Sequence, residues 1–373
     1  MKGSFRIARF FGIPVELHWT FGLIFLWVGY TVYEKTGRFD PEVLLWQTLF
    51  VLSIFLCVLL HEFGHALTAR KYGVLTLDII LSPIGGVARL DRMPEKPIQE
   101  FWVALAGPLV NGVIIIILSA YVLILGDIKR SQFFDLFYLV FNPQSNTFTA
   151  NLSQFDFYIF GLIGLNAALA LFNLLPAFPL DGGRIFRALL AMRMKRLQAT
   201  RIAALTGQAM AIALGLYGLA TGNLITTLIG IFVFSTAAAE YRFVKMENTL
   251  NQFTIRDLVR TNYQIVKGGW TMSEMMEILP HSLENYFLVQ EEFSDLPSGW
   301  ISEKMVLKAA NEQDLFVRDI QVRTVEEIQA DEPVKIAFEL IQTKNTPILL
   351  VKEGEEVFGV VDLDMIEHFL SIT

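Results

Sequence analysis

Residues 51–72, VLSIFLCVLLHEFGHALTARKY, constrain most strongly what this chain can fold into. Ten apolar or small residues run directly into His61-Glu62-Phe63-Gly64-His65, so ionisable groups lie in what is otherwise a membrane-type segment. On an α-helix His61 and His65 are one turn apart on the same face. Two imidazoles at that spacing can bind one metal ion, and Glu62 can then reach a water beside it. The pattern predicts a hydrolytic metal site.

The alternative is a structural histidine pair that hydrogen-bonds to backbone or to a carboxylate on a neighbouring helix. Ionisable groups within an apolar span cost about 2.5–3.5 kcal/mol each on insertion scales, and those that are retained usually have a function. The chain has five histidines in total. Two of them flanking a glutamate at ligand spacing favour the metal site.

The composition indicates a polytopic α-helical membrane protein, because 53% of the residues are hydrophobic and only 18% are charged. We expect about six transmembrane helices, over residues 17–33, 43–69, 100–125, 157–175, 202–219 and 224–239, with an external loop over 126–156. Basic residues follow the ends of alternate spans, which predicts a cytoplasmic N-terminus and a metal site in the cytoplasmic leaflet of the cell membrane.

Residues 74–90 alternate in polarity around Pro83, Gly85 and Gly86, which predicts a short membrane-associated β-hairpin close to the metal site. Irregular backbone is also expected over residues 173–181, since Pro176 and Pro179 cannot continue a helix. Such backbone is tolerated at membrane depth only where protein or a water-filled cavity covers it.

Asp181 follows this irregular stretch and has two interpretations. It is a suitable helix N-cap, and it is also the best candidate for the third protein ligand that a catalytic zinc site requires. Asn111 in the third span either joins helices or faces the cavity.

The segment from residue 251 onward is acidic and repetitive. It holds 22 acidic and 10 basic residues, a net of −12, which leaves +5 for residues 1–250 out of the total of −7. Ile255-Arg256-Asp257-Leu258 recurs as Val317-Arg318-Asp319-Ile320, which predicts two copies, at about 253–311 and 315–373, each with the order strand, helix, two strands, helix. We therefore expect a membrane domain over 1–250 and a soluble α+β domain over 251–373.

Three motifs together, HEFGH in one span, AGPLVN in the next and NLLPAFPLDGG after the fourth, resemble those of the site-2 protease family of intramembrane metalloproteases. The resemblance implies one zinc ion held by His61, His65 and Asp181, with Glu62 as the general base. It also implies substrate positioning by Asn173 and by the hairpin at Gly85 and Gly86. Asn111, in its cavity-facing interpretation, is a further candidate for substrate positioning. The expected substrate is a membrane-embedded, single-span regulator of type II topology, such as an anti-sigma or pro-sigma factor, cleaved within the lipid bilayer in regulated intramembrane proteolysis.

The C-terminal repeat resembles a tandem CBS (Bateman) module. Such repeats bind adenine nucleotides through Gly-x-x-Ser/Thr-x-x-Asp, whose candidate positions here are Ser302 and Asp362. This sequence departs from the pattern, with Met305 and Met365 at the two Asp positions and Asp362 at a Ser/Thr position. Nucleotide binding, control of the protease, and homodimerisation or docking therefore stay open, and no nucleic-acid partner is expected.

The sequence leaves two alternative functions to be considered. A CBS-regulated membrane transporter would also combine apolar spans with a cytoplasmic repeat, but it would not need a glutamate between two ligand-spaced histidines. A catalytically dead membrane adaptor would not need all four of His61, Glu62, His65 and Asp181.

Overall fold

The computed structural model describes residues 3–83, 85–94, 96–125, 154–282, 284–292, 294, 296–309, 312 and 315–372. The chain forms two compact units, Met1–Tyr241 and Arg242–Thr373. The expected external loop over 126–156 lies almost entirely outside the described residues. The proposed domain boundary at residue 250 stays a prediction.

The first unit consists mainly of seven described helices, the last of which continues past Tyr241 into the second unit. They are α1 (Gly22–Thr36), α2 (Pro41–Lys71), α3 (Pro97–Leu125), α4 (Gln154–Asn173), α5 (Asp181–Ala191), α6 (Arg196–Ala220) and α7 (Leu224–Gln252). Within the described residues, five helices are long and apolar enough to cross a membrane, namely α2, α3, α4, α6 and α7. This arrangement confirms the polytopic helical fold.

The first expected span, over residues 17–33, differs in the structure. Its first residues belong to strand β2 (Ile13–His18), and the helix starts only at Gly22. With 15 residues, α1 has a length of about 22 Å, which is less than the roughly 30 Å of a hydrocarbon core. The imidazole of His18 hydrogen-bonds to Thr20 Oγ1 over 2.7 Å and caps the turn before α1.

A four-stranded sheet accompanies the helices, in the order β1 (Ser4–Phe10), β2, β3 (Thr76–Ser82) and β4 (Gly85–Leu90). Strands β1 and β2 pair antiparallel, β2 and β3 parallel, and β3 and β4 antiparallel. The predicted hairpin is therefore confirmed, and β4 is an edge strand of this sheet. Ile13, Val15, Ile79 and Leu81 pack against Phe63 and Ala66 of α2, which fixes the sheet beside the HEFGH segment.

The backbone between α4 and α5 is irregular, as predicted. Helix α4 ends at Asn173, and residues 174–180 form turns and bends until α5 begins at Asp181. The middle of this stretch is buried, since Ala177 and Phe178 are only 2% and 1% exposed.

The second unit contains two copies of one topology. The first comprises β5 (Ile265–Lys267), α8 (Met272–Ile278), β6 (Tyr286–Gln290), β7 (Gly299–Ser302) and α9 (Glu303–Ala309). After the short helix α10 (Val317–Ile320), the second comprises β8 (Glu326–Gln329), α11 (Val334–Lys344), β9 (Ile348–Glu353), β10 (Glu356–Asp362) and α12 (Leu363–Ile372). In each copy the first two strands pair parallel and the last two antiparallel. This is the predicted order, and it confirms the repeat.

Candidate metal centre

Helix α2 positions His61, Glu62 and His65. Asp40 caps its N-terminus, because the carboxylate accepts hydrogen bonds from the N–H groups of Glu42 and Val43. Pro41 occupies the first helical position, where proline is favoured. The helix continues unbroken for 31 residues to Lys71. One continuous helix therefore places both imidazoles on one face, one turn apart.

The side chains of His61, His65 and Asp181 meet at one point. Oδ2 of Asp181 lies 3.1 Å from Nε2 of His61 and 3.1 Å from Nε2 of His65, and the two Nε2 atoms are also 3.1 Å apart. All three residues are buried, with exposures of 4%, 7% and 8%. Within the described residues, this is the group of histidine, cysteine and acidic side chains that could hold a metal ion.

Asp181 does not occupy the N-cap position that was its alternative role. Leu180 is the N-cap of α5, and Asp181 is the first helical residue. Its carboxylate faces the two imidazoles instead.

The other ring nitrogen of each histidine has its own partner. Nδ1 of His65 lies 2.7 Å from the carbonyl oxygen of Val103, so it must carry the proton. Nδ1 of His61 contacts Oδ1 of Asn111, whose amide nitrogen donates to Oδ1 of Asn166 over 2.8 Å. Because Asn111 thus presents its oxygen to His61, that Nδ1 is also the donor. In the neutral form of each ring, Nε2 then carries the lone pair, on the side that faces Asp181.

This set of donor atoms fits zinc. Three electron-rich atoms 3.1 Å apart repel one another unless a cation or a proton lies between them. Ligands about 2.05 Å from a tetrahedral ion are separated by roughly 3.3 Å, close to the observed spacing. Nδ1–H groups bonded to a carbonyl and to an amide oxygen are typical partners of metal-binding histidines.

Gly107 of α3 makes room for the two imidazoles. A Cβ atom at this position would lie 2.7 Å from Cε1 of His61 and closer still to the ring of His65. Any larger residue would push the rings away from Asp181.

Glu62 is held by the edge strand β4. Its Oε2 accepts a hydrogen bond of 3.0 Å from the backbone N–H of Ala88. A Cβ at Gly86 would come within 2.9 Å of Cγ of Glu62, so a glycine is needed for this close approach. Gly85, by contrast, has a φ of +136°, and a Cβ there would meet no described atom within 4 Å. Gly86 therefore lies beside the candidate base, and the role of Gly85 and Gly86 in substrate positioning stays a prediction.

The other predicted positioning residues lie in different places. Asn173 is half-buried at the last position of α4. Asn111 is fully buried, and its amide is engaged by His61 and Asn166. The contacts of Asn111 favour orientation of His61 over direct contact with a substrate.

Comparison with known proteins agrees with this geometry. A family model described as Peptidase family M50 matches residues 49–216. The Zinc metalloprotease MJ0392 of Methanocaldococcus jannaschii is 32% identical over 375 residues, covering 100% of this chain and 97% of the relative. The chain belongs to the site-2 protease family. Membership in this family of zinc metalloproteases disfavours the transporter alternative.

Two solved structures are also similar to this site-2 protease. The site-2 protease from Methanocaldococcus jannaschii is 35% identical and aligns over 64% of this chain and 95% of its own, with a TM-score of 0.42. A hemolysin-like protein containing a CBS domain, from Oenococcus oeni PSU, is 14% identical and aligns over 34% of this chain and 97% of its own, with a TM-score of 0.31.

The sequence analysis did not predict three structural features of the candidate metal centre. Asn166 extends the His61–Asn111 contact and donates to Sγ of the buried Cys57 over 3.3 Å. The N–H of Ala88 and the carbonyl of Val103 are backbone groups, which sequence patterns do not reveal. Glu100 and Arg187 form a buried ion pair near the centre, and charged residues beside apolar spans were the available signal.

The second unit carries Ser302 and Asp362 at equivalent positions of its two copies, at the ends of β7 and β10. Ser302 Oγ accepts from the N–H of Met305 over 3.3 Å, and Asp362 Oδ1 accepts from the N–H of Met365 over 2.9 Å. Each therefore caps the helix that follows it. Asp362 also pairs with Nη2 of Arg260 at 3.0 Å, and burial raises the pKa of its carboxyl despite that pair. Adenine nucleotide binding by these residues stays a prediction.

Proposed function

We propose that this protein is a zinc-dependent intramembrane endopeptidase with one zinc ion per chain, held by His61, His65 and Asp181. The observation that supports this most is the convergence of three buried acceptor atoms, each 3.1 Å from the others, beside a glutamate on a membrane-type helix. Without a cation or a proton between them, these three atoms repel one another.

Glu62 is the general base in this proposal. Bound zinc supplies Lewis-acid polarisation of the scissile carbonyl and a nucleophilic water at neutral pH. The Ala88 N–H occupies one carboxylate oxygen of Glu62 and fixes the orientation of the group. The other oxygen can take the proton of the attacking water and pass it to the leaving amine.

The edge strand β4 provides a place for an extended substrate. A transmembrane helix hides its amides in internal hydrogen bonds, so it must unwind before hydrolysis. Strand addition to β4, next to Glu62, would hold the unwound segment in an extended conformation. We infer that the substrate is a single-span membrane protein of type II topology, and the anti-sigma and pro-sigma classes follow from family resemblance alone.

We infer a multi-pass protein of the cell membrane with the N-terminus and the repeat unit cytoplasmic, and with the metal site in the cytoplasmic leaflet. The repeat unit, residues 251–373, acts as a CBS pair that controls the protease or joins two copies of the chain.

A comparison of membrane proteomes tests the proposal. Membranes carrying Glu62→Gln should accumulate uncut single-span proteins that are cleaved when the wild type is present. Glu42→Gln is a matched control, because Glu42 is an exposed residue in the first turn of the same helix. Cleavage of a membrane-embedded substrate by purified Glu62→Gln protein at the wild-type rate would refute the proposal.

A further inference from the structure

A buried ion pair connects α5, the helix of Asp181, with α3, the helix whose polar groups orient the two histidines. Arg187 lies on α5, six residues after Asp181, and is 1% exposed. Its Nε donates to Oε1 of Glu100 over 2.7 Å. Glu100, in the first turn of α3, is also 1% exposed.

Two further contacts surround the guanidinium. Its Nη1 pairs with Glu240 of α7, whose side chain is 30% exposed. Its central carbon lies 5.1 Å from the ring centroid of Phe178, in the irregular stretch before α5. Arg187 therefore contacts two helices besides its own and also the segment that leads into Asp181.

Helix α3 carries the groups that orient both imidazoles. The carbonyl of Val103, one turn after Glu100, accepts from His65, and Asn111 accepts from His61. Gly107, between them, packs against both rings. A shift of α5 against α3 would therefore move the Asp181 carboxylate relative to the two Nε2 atoms.

Stability alone does not account for such a pair. Buried ion pairs can often be replaced by apolar residues of similar volume without loss of stability, because desolvation of the two charges offsets their attraction. What an ion pair with several hydrogen bonds supplies is a defined distance and angle between two helices.

We propose that Arg187 and Glu100 are positioning residues that hold α5 and α3 in the register at which Asp181 meets His61 and His65. This inference rests on the proposed zinc site. It predicts that the pair sets zinc affinity, a property that does not depend on a substrate or on turnover.

Zinc affinity of the full chain in detergent, measured by chelator competition well below the unfolding temperature, tests this role. Glu100→Gln should weaken zinc binding by about 10–100-fold, as is typical when groups that orient metal ligands are lost. Glu240→Gln is the matched control, since it removes a carboxylate from the same guanidinium at a more exposed position away from α3. It should weaken binding by less than about fivefold.

The double variant Glu100→Gln/Arg187→Gln covers the case in which a lone buried guanidinium prevents folding. It carries neither charge and should lose zinc affinity like Glu100→Gln. Wild-type zinc affinity in both variants, with only the unfolding temperature lowered, would overturn the inference while leaving the proposed function intact. A wild-type protein that binds no zinc would overturn both.

Discussion

The backbone N–H of Ala88 donates a hydrogen bond of 3.0 Å to the carboxylate of Glu62. The donor belongs to an edge strand of the sheet, and the acceptor is the candidate base on the HEFGH helix. One contact thus joins the strand proposed to bind substrate to the residue proposed to move the proton.

Ala88→Pro should slow hydrolysis, because proline has no N–H to hold Glu62. Hydrogen bonds to charged groups contribute about 1.5–3 kcal/mol, so the turnover number should fall by roughly 10–100-fold. Ala88→Ser keeps the N–H and serves as the control. The measurement is cleavage of one membrane-embedded substrate by both variants at equal zinc content, and wild-type turnover in Ala88→Pro would count against the contact.

Asn111→Leu should weaken zinc binding by about 10–100-fold, because Nδ1 of His61 loses its acceptor and the imidazole its fixed orientation. Asn111→Asp keeps an oxygen at this position and should lose less affinity. Chelator competition measures both. If Asn111→Leu bound zinc normally and only the KM for substrate rose, Asn111 would position the substrate and not His61.

Asp362→Asn should change how the stability of the second unit depends on pH. Burial raises the pKa of Asp362 in the folded protein above its ordinary value of 3.8, so folding favours the neutral form. The wild type therefore loses stability as the pH rises from below 3.8 through the raised pKa of Asp362. The amide in the Asp362→Asn variant does not titrate, so its contribution to stability does not change with pH. The unfolding temperature of Asp362→Asn minus that of the wild type should increase between about pH 4 and about pH 7.

Thermal unfolding of the full chain at several pH values provides this measurement. Glu355→Gln, which removes an exposed carboxylate of the same unit, is the control. A difference between Asp362→Asn and wild type that shrinks as the pH rises would contradict the role of burial.

Sequence patterns predicted the features of the fold that depend on residues close together in the chain. The i, i+4 positions of His61 and His65 follow from helix geometry alone, and Pro176 and Pro179 mark the irregular backbone before Asp181. The repeat was visible because its two copies keep similar residues at similar offsets. The first two features are each encoded within a short segment of chain, and the repeat is found by comparing two such segments.

The parts that sequence reasoning missed depend on contacts between distant segments. The last two residues of β2, Leu17 and His18, were included in an apolar span because residues 17–33 are mostly apolar, and only pairing with β1 and β3 shows that they belong to a strand. The link from His61 through Asn111 to Asn166 joins three helices. No spacing rule in a single segment predicts which polar residue on another helix meets an imidazole.

The central claim is that His61, His65 and Asp181 together bind one zinc ion, and metal analysis of the purified chain tests it most directly. The wild type and His18→Ala, which removes a histidine outside the cluster, should each contain about one zinc per chain, and the triple variant His61→Ala/His65→Ala/Asp181→Ala should contain none. Zinc at the wild-type level in the triple variant, or its absence from the wild type, would contradict the claim.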